Sequence, residues 1–152
     1  MPGQIEELTQ ELLSILPLLT RIVAAEVRRE AGDATTMPQF RVLAHLEAGP
    51  LTLSALAKQR RVSLQAMSEL VQVLVERGWI ERVPAQHDRR QHLLYLTDRG
   101  RRHYERAHEQ TLRRLVPLMS ALDAKERIAV RQALPALRRV LTQAESEEQS
   151  GS

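Results

Sequence analysis

The sequence predicts a mainly α-helical protein of the α+β class, in which a helix-turn-helix and a β-hairpin lie between long terminal helices. Apolar residues recur every three or four positions over residues 5–27 and 128–141, which is the period of an amphipathic helix. Between them, two short capped helices fill residues 52–77, and two strands fill most of residues 79–97. Aromatic residues make up only 3% of the chain, so the core is aliphatic, which suits helices packed on helices.

The composition favours one soluble domain. A length of 152 residues suits a single core, and we predict one domain over residues 1–152. The chain has no cysteine, which excludes disulfides and cysteine-ligated zinc and fits a reducing compartment. The longest charge-free apolar run near the start, Leu12 to Thr20, is shorter than the roughly 20 residues of a membrane span, and acids precede it. We therefore predict a cytoplasmic protein with no membrane partner.

The first two helices have recognisable ends. A long helix is predicted over residues 5–30, kinked at Pro17 and closed by Gly32-Asp33. The next helix begins at Thr36, because Gln39 follows three residues later in the pattern of a capping box, and a Gly-Pro pair stops it.

A compact pair of helices follows. Thr52 is predicted to cap the first helix of this pair, and Ser63 to cap a longer second helix that ends at Gly78. Two short helices with a brief turn, the second of them amphipathic, are typical of a helix-turn-helix. Arg60 and Arg61 lie in the predicted turn, where contact with phosphate and simple solvation are both open.

The next segment predicts a wing. Residues 79–83 and 92–97 favour strands, and the loop 84–91 between them is polar and basic. A hairpin directly after a recognition helix is a wing, and the adjacent Arg89 and Arg90 at its tip are placed to reach a minor groove.

The chain turns helical again after Thr97. Asp123 and Glu126 form a second capping box, which opens a last helix that Pro135 is predicted to kink or interrupt. The small, polar tail over residues 145–152 is predicted to fray.

The apolar stripes of the first and last helices predict a dimer. They are wider than a DNA-binding lobe over residues 36–97 can cover. We therefore assign residues 1–31 and 98–145 to dimerisation helices in a two-fold homodimer, the commonest oligomer.

The charge is concentrated in the middle of the chain. Residues 51–106 hold eleven Lys or Arg against six acids, whereas residues 1–50 hold four against seven. A local basic surface is typical of a polyanion partner, here double-stranded DNA. A solvated basic face is the alternative.

One segment resembles the MarR family, the multiple-antibiotic-resistance type of winged-helix regulator. The matching residues are Gly78-Trp79-Ile80-Glu81-Arg82, then Asp88 and Arg90, then Leu94, Leu96-Thr97 and Gly100. The order and lengths of the elements extend the resemblance over nearly the whole chain. The wing departs from the family at Ala85-Gln86, where an Asp-Pro pair is frequent.

The resemblance implies a homodimeric repressor that binds a palindromic operator, with the recognition helix in the major groove and a wing arginine in the minor groove. The residues that it places against base edges or phosphates are Ser63, Gln65, Ala66 and Ser68. In the wing, it makes Arg90 the minor-groove arginine, Asp88 the residue that fixes its geometry, and Arg89 a backbone contact.

Glu69 departs from the family, whose recognition helices often carry arginine there. A carboxylate repels phosphate unless it accepts a hydrogen bond from a cytosine amine or pairs with Arg89 or Arg90. We therefore expect Glu69 to contribute to specificity, and the operator sequence does not transfer from relatives.

The resemblance also implies an effector, a small organic anion or phenolic compound bound between the terminal helices and the DNA-binding lobe. Arg21, Arg28 and Arg41 lie on the helices that border this cleft in the family. We predict no other cofactor.

Other functional classes find little support. The sequence holds no nucleophile elbow, no zinc-protease motif and no phosphate-binding glycine loop, and no two of its five histidines have the i, i+4 spacing of a helical metal site. We predict neither catalysis nor a metal. The alternative to a regulator is a winged-helix adaptor that contacts only proteins, and salt-dependent binding to random duplex DNA distinguishes the two.

Overall fold

The chain forms six helices and a small antiparallel sheet within residues 2–31, 35–88 and 90–150, which are the parts that the computed structural model describes. The helices are α1 (Pro2–Ala31), α2 (Met37–Glu47), α3 (Leu53–Arg60), α4 (Leu64–Glu76), α5 (Asp98–Ser120) and α6 (Ala124–Ser150); the strands are β1 (Leu51–Thr52), β2 (Ile80–Pro84) and β3 (His92–Leu96). The predicted fold class is confirmed: a helix-turn-helix (α3 and α4) and a wing (β2 and β3) lie between long helices.

Both predicted capping boxes form. The Thr36 hydroxyl accepts a hydrogen bond from the Gln39 N–H at 3.4 Å, and the Gln39 side-chain oxygen accepts one from the Thr36 N–H at 3.1 Å. Asp123 and Glu126 exchange the equivalent pair at 2.9 and 2.8 Å. Each pair satisfies two backbone donors that a helix start leaves without intrahelical partners, so local sequence sets where α2 and α6 begin.

The sheet has the order β1-β3-β2, and both pairings are antiparallel. The sequence did not predict β1, because two residues carry no alternation, and only the pairing of Leu51 with Leu94 makes them a strand. The predicted start of β2 at Trp79 is wrong by one residue. The Trp79 N–H instead donates to the Leu74 carbonyl at 3.0 Å, which completes the end of α4.

The main core lies inside the lobe formed by α2, α3, α4 and the sheet. Its fully buried side chains are aliphatic, as the scarcity of aromatics predicts, and include Val42, Leu43, Leu56, Met67, Val71, Leu74, Ile80 and Leu94. A second, smaller cluster of Val27, Phe40 and Ala107 joins α1, α2 and α5. It connects the lobe to the terminal helices, and Tyr104 packs against both clusters.

The long helices differ from the prediction in two places. α6 continues across Pro135 to Ser150, so the predicted interruption and the predicted fraying of the tail are wrong within the described residues. Proline removes only one intrahelical hydrogen bond, and the tail carries helix-favouring Ala and Glu. α1 continues across Pro17, as predicted. The predicted closure at Gly32-Asp33 lies outside the described residues.

α1 also bears on the prediction that no segment is long and apolar enough to span a membrane. Gly3–Arg29 contains a window with a mean hydropathy of 1.4, enough to cross a membrane by length and composition alone, which corrects that prediction. The apolar window itself is 0% buried, and α1 meets the core near its end through Val27, which is 1% exposed.

The wing and α5 meet at a tight junction around Trp79. The Thr97 hydroxyl donates to the Gly78 carbonyl at 2.6 Å, and the Thr97 N–H donates to the Trp79 carbonyl at 3.1 Å. Gly100 packs directly on this carbonyl: a Cβ on Gly100 would collide with its oxygen and lie 2.9 Å from its carbon. One turn further along α5, the His103 ring stacks on the Trp79 indole at 4.0 Å between centroids.

This close approach predicts that Gly100→Ala destabilises the protein. We expect the free energy of unfolding to fall by about 1–3 kcal/mol, the range for an overpacked core, because the obstacle is backbone. Urea unfolding at a fixed protein concentration measures it. Gly3→Ala is the matched control: nothing lies within 4 Å of its added Cβ, so stability should not fall. An equal response of the two variants would contradict this account of the junction.

Candidate nucleic-acid interface

Ser63 sets the start of the predicted recognition helix. It has the extended backbone of an N-cap (φ −65°, ψ 155°), and its hydroxyl accepts a hydrogen bond from the Ala66 N–H at 3.1 Å. Both residues are exposed. The Ser63 oxygen is thus engaged in the cap, which leaves its O–H available to donate to an acceptor outside the protein.

The two faces of α4 separate cleanly. Met67, Val71 and Leu74 are buried. The exposed polar stripe on the opposite side consists of Gln65, Glu69, Gln72 and Glu76, spaced by three or four residues. Ser68 is half-buried at the side of this stripe. Of the predicted base-edge residues, Gln65 therefore belongs to this stripe.

Glu69 lies in the middle of the exposed stripe. Within the described residues it makes no hydrogen bond and no ion pair, so the proposed pairing with Arg90 is not formed, and Arg89 lies outside those residues. Glu76, two turns further along the stripe, is engaged, because Gln72 donates to its carboxylate at 3.2 Å. Glu69 thus presents an uncompensated carboxylate at the first turns of α4.

The two arginines before α4 occupy different positions. Arg60 is the last residue of α3 and not part of the turn, which corrects the prediction for it. Arg61 does form the turn: it adopts the left-handed conformation (φ 51°, ψ 44°), and its N–H donates to the carbonyls of Ala57 and Lys58. A non-glycine residue in this region is strained, so the turn between the two helices is held in one sharp geometry by its contacts.

The wing tip is organised by Asp88. Its carboxylate accepts a hydrogen bond from the Arg90 N–H at 2.9 Å, and its carbonyl accepts one from the Gln91 N–H at 3.0 Å. The Ala85 N–H closes the loop on the Gln91 carbonyl at 2.8 Å. Asp88 therefore fixes the backbone at Arg90, as its predicted role requires, and Arg90 is exposed. Its neighbour Arg89 lies outside the described residues.

The predicted effector arginines lie on two helices. Arg21 and Arg28 are exposed on α1, and Arg41 is exposed on α2. Arg41 lies close to Arg60: burial and then the charge of Arg41 lower the pKa of Arg60. Burial and then the charge of Arg60 also lower the pKa of His45, one turn further along α2. The structure thus groups Arg41 with the helix-turn-helix.

Sequence reasoning missed several residues at and around this surface. Glu26 is buried in α1, at 5% exposure, and Arg29 approaches it only to 3.8 Å. Arg77 ties the end of α4 to α2 by donating to the Gln39 side chain at 3.3 Å, and it lies 5.2 Å over the Trp79 ring. Leu64, in the first turn of α4, is an apolar residue that remains 54% exposed.

Two features of the structure concern ligand binding. Among the described residues, no group of three or more His, Cys, Asp and Glu side chains is placed to hold a metal ion. A long open groove of about 1390 Å³ runs along α6, with an apolar lining that includes Ile128, Val130 and Leu134.

The chain is similar to known transcription regulators. A profile described as the MarR family matches residues 35–91. Over 76 residues the chain is 37% identical to the multiple antibiotic resistance protein MarR of Salmonella typhimurium. That match covers 49% of this chain and 53% of the relative, so the chain matches about half the length of that protein.

Solved structures match over more of the chain. The RV1404 protein of Mycobacterium tuberculosis is 30% identical, with a TM-score of 0.82 and coverage of 90% of this chain and 92% of that one. A mutant MarR from E. coli, solved in complex with operator DNA, is 26% identical with a TM-score of 0.65, and the match covers 89% and 96% of the two chains. The similarity therefore extends through the terminal helices.

Proposed function

This chain belongs to the MarR family, and we propose that it is a homodimeric repressor that binds a palindromic operator and responds to a small molecule. The observation that carries the DNA-binding part is the exposed polar face of α4 beside a wing whose Asp88 fixes the backbone at Arg90. The E. coli MarR that was solved with operator DNA has the same fold, which supports this use of the surface. Ser63, Gln65, Ala66, Ser68 and Glu69 are the proposed contacts of the recognition helix.

Dimerisation through the terminal helices is supported by what they expose. In α1, the apolar side chains before residue 20 are between 40% and 67% exposed, and α6 exposes Ile128, Leu134 and Leu141 at 58–60%. Leaving this much apolar surface in water is unfavourable by roughly 25 cal/mol per Å². The groove along α6 could take a helix of a second copy. Such a two-fold dimer would cover the exposed apolar side chains of α1 and of α6 together.

Regulation by an organic anion or a phenolic compound is proposed for the region between the terminal helices and the lobe. Arg21 and Arg28 support it, since they lie two turns apart on one side of α1 and are exposed. The buried Glu26 repels an anion. We therefore place the ligand at the arginines on the rim and not beside Glu26. The proximity of Arg41 to Arg60 offers a second positive site closer to the helix-turn-helix.

The experiment that tests the proposed function is selection of DNA fragments by the purified protein, followed by titration of the selected duplex and a scrambled duplex at several salt concentrations. A regulator prefers the selected sequence, and its affinity falls steeply with salt for both duplexes. An adaptor that contacts only proteins selects no sequence and binds neither duplex, and that outcome would reject the proposal.

Arg90→Ala is expected to weaken operator binding by about 1–3 kcal/mol, the range for a good specific contact. The reason is its exposed place at the wing tip, next to the backbone that Asp88 holds. Arg102→Ala is the matched control, because Arg102 is exposed on α5, away from the wing tip. Both are measured by titration at one salt concentration. Equal, small losses would remove the wing from the mechanism.

Glu69→Gln is expected to tighten binding to random DNA while narrowing the gap between operator and scrambled duplex. The carboxylate repels phosphate everywhere and gains only where a cytosine amine meets it. Paired titrations at matched ionic strength measure the ratio of affinities. Glu76→Gln is the control, since Glu76 shares the stripe but already accepts a hydrogen bond from Gln72. If the ratio does not fall for Glu69→Gln, the residue is only an exposed helix position.

Deleting residues 1–30 is expected to abolish dimerisation and solubility together. Leu134→Asp is a milder test: it puts a charge on the apolar face of α6 and should shift the mass in sedimentation towards the monomer. Ser54→Asp, an exposed position of the lobe, is its control and should remain dimeric. A DNA-binding monomer from the deletion contradicts the interface. Flotation of the full chain with neutral lipid vesicles would instead assign the apolar face of α1 to a membrane.

A further inference from the structure

The exposed large apolar side chains fall into two groups. Most belong to the terminal helices: they lie on α1 before residue 20, on α5 from Leu112 onward, and on α6. Within the described part of the lobe, three remain, and they are Val62, Leu64 and Val83. All three lie on the proposed DNA-binding surface: one in the turn before α4, one in the first turn of α4, and one in the wing strand β2.

Leu64 is the most exposed of the three, at 54%. It is the first residue of α4, between the exposed cap Ser63 and the exposed Gln65, and it lies one turn before Ser68 on the same side of the helix. The helix does not need it for its own packing, because the buried stripe begins at Met67. Its side chain thus stands beside the polar residues proposed to meet base edges.

A single exposed leucine is ordinary on a protein surface. Its exposure indicates a contact only where a binding partner is already expected, as on this face of α4. The major groove presents hydrogen-bonding groups and one apolar group, the 5-methyl of thymine. A leucine in the first turn of a recognition helix has no other apolar partner on the base edges. Polar side chains at the same place would gain nothing from that methyl group.

We propose that Leu64 is a specificity residue that packs on the 5-methyl group of a thymine in each half-site of the operator, with Val62 extending the apolar contact. This rests on the proposed DNA-binding function and adds to it a prediction about base sequence. The half-site holds a thymine where the start of α4 enters the groove. Glu69, five residues further along α4, is then left to act on a different base pair.

The test uses the duplex that the wild-type protein selects from a randomised pool. Each thymine is replaced in turn by deoxyuridine, which removes only the methyl group and keeps every hydrogen-bonding group. At the thymine that faces Leu64, we expect about fourfold weaker binding for one half-site and about 15-fold for both, from burial of one methyl group at each. Leu64→Ala should bind the unmodified operator more weakly and show no response to deoxyuridine at that position.

Two variants sharpen the comparison. Leu64→Met keeps an apolar side chain and should keep the response to deoxyuridine. Gln72→Ala changes the same helix without removing the apolar contact, so this variant should keep the response too. Binding of Leu64→Ala to scrambled duplex should equal that of the wild type, and its circular dichroism should be unchanged, because the residue is exposed. These results together support the proposal.

The outcomes that overturn the proposal are separate from failure of the function itself. If the wild type binds its operator specifically but no thymine responds to deoxyuridine, or if Leu64→Ala responds as the wild type does, Leu64 does not contact a methyl group. If the selected half-site has no thymine at the base pair that faces the start of α4, the proposed contact is rejected in the same way. If the wild type selects no sequence at all, the DNA-binding function and this inference are both rejected.

Discussion

The close packing of Gly100 on the Trp79 carbonyl determines how the rest of the molecule is arranged. Three elements meet at this point. They are the end of the recognition helix, the base of the wing and the start of α5. The Thr97 hydroxyl donates to the Gly78 carbonyl and also accepts from the Gly100 N–H at 3.0 Å, so a single side chain caps α5 and closes the wing. Only glycine lets the α5 backbone come this close.

Contacts around this junction continue to the start of α2. His103 stacks on Trp79 and lies 3.4 Å from the Thr35 hydroxyl, which precedes the cap of α2. Arg77, which lies over the Trp79 ring, donates to Gln39 in the first turn of α2. The ends of α2, α4 and α5 are therefore joined through one indole ring. A shift of any of these helices has to move the recognition helix with it, because packed contacts of this kind are not deformed gradually.

Features with a local cause were predictable from the sequence, and features that depend on distant partners were not. The caps at Thr36, Ser63 and Asp123 each involve residues three apart, so they were visible in the pattern. The strand β1 exists only through β3, forty-odd residues later, and two residues carry no signal of that pairing. The same reason hid the buried Glu26, since nothing near it in the sequence distinguishes it from the exposed acids of α1.

The candidate site follows the same division. The exposed stripe of α4 and the role of Asp88 at the wing tip were expected from spacing and from the family resemblance. Exposure of Leu64 was not, because a leucine at the first helical position fits a buried stripe equally well by sequence alone. Likewise, Arg41 was assigned to an effector cleft from its helix, and the fold places it near Arg60 at the end of α3.

α5 connects the two surfaces on which the proposed function depends. It starts at the Trp79 junction, where it holds the lobe, and its later residues expose the apolar side chains proposed for the dimer. At 23 residues, it is about 35 Å long. A tilt of a few degrees at the dimer end therefore displaces the lobe by about 2–3 Å over that length. Displacement on this scale separates a recognition helix from its base edges, since a hydrogen bond tolerates only a few tenths of an ångström. The effector proposed for the region between the terminal helices and the lobe would need to change no contact in α4 itself. It needs only to favour one orientation of α5 over another, and its differential affinity for the two orientations sets how far DNA binding is reduced.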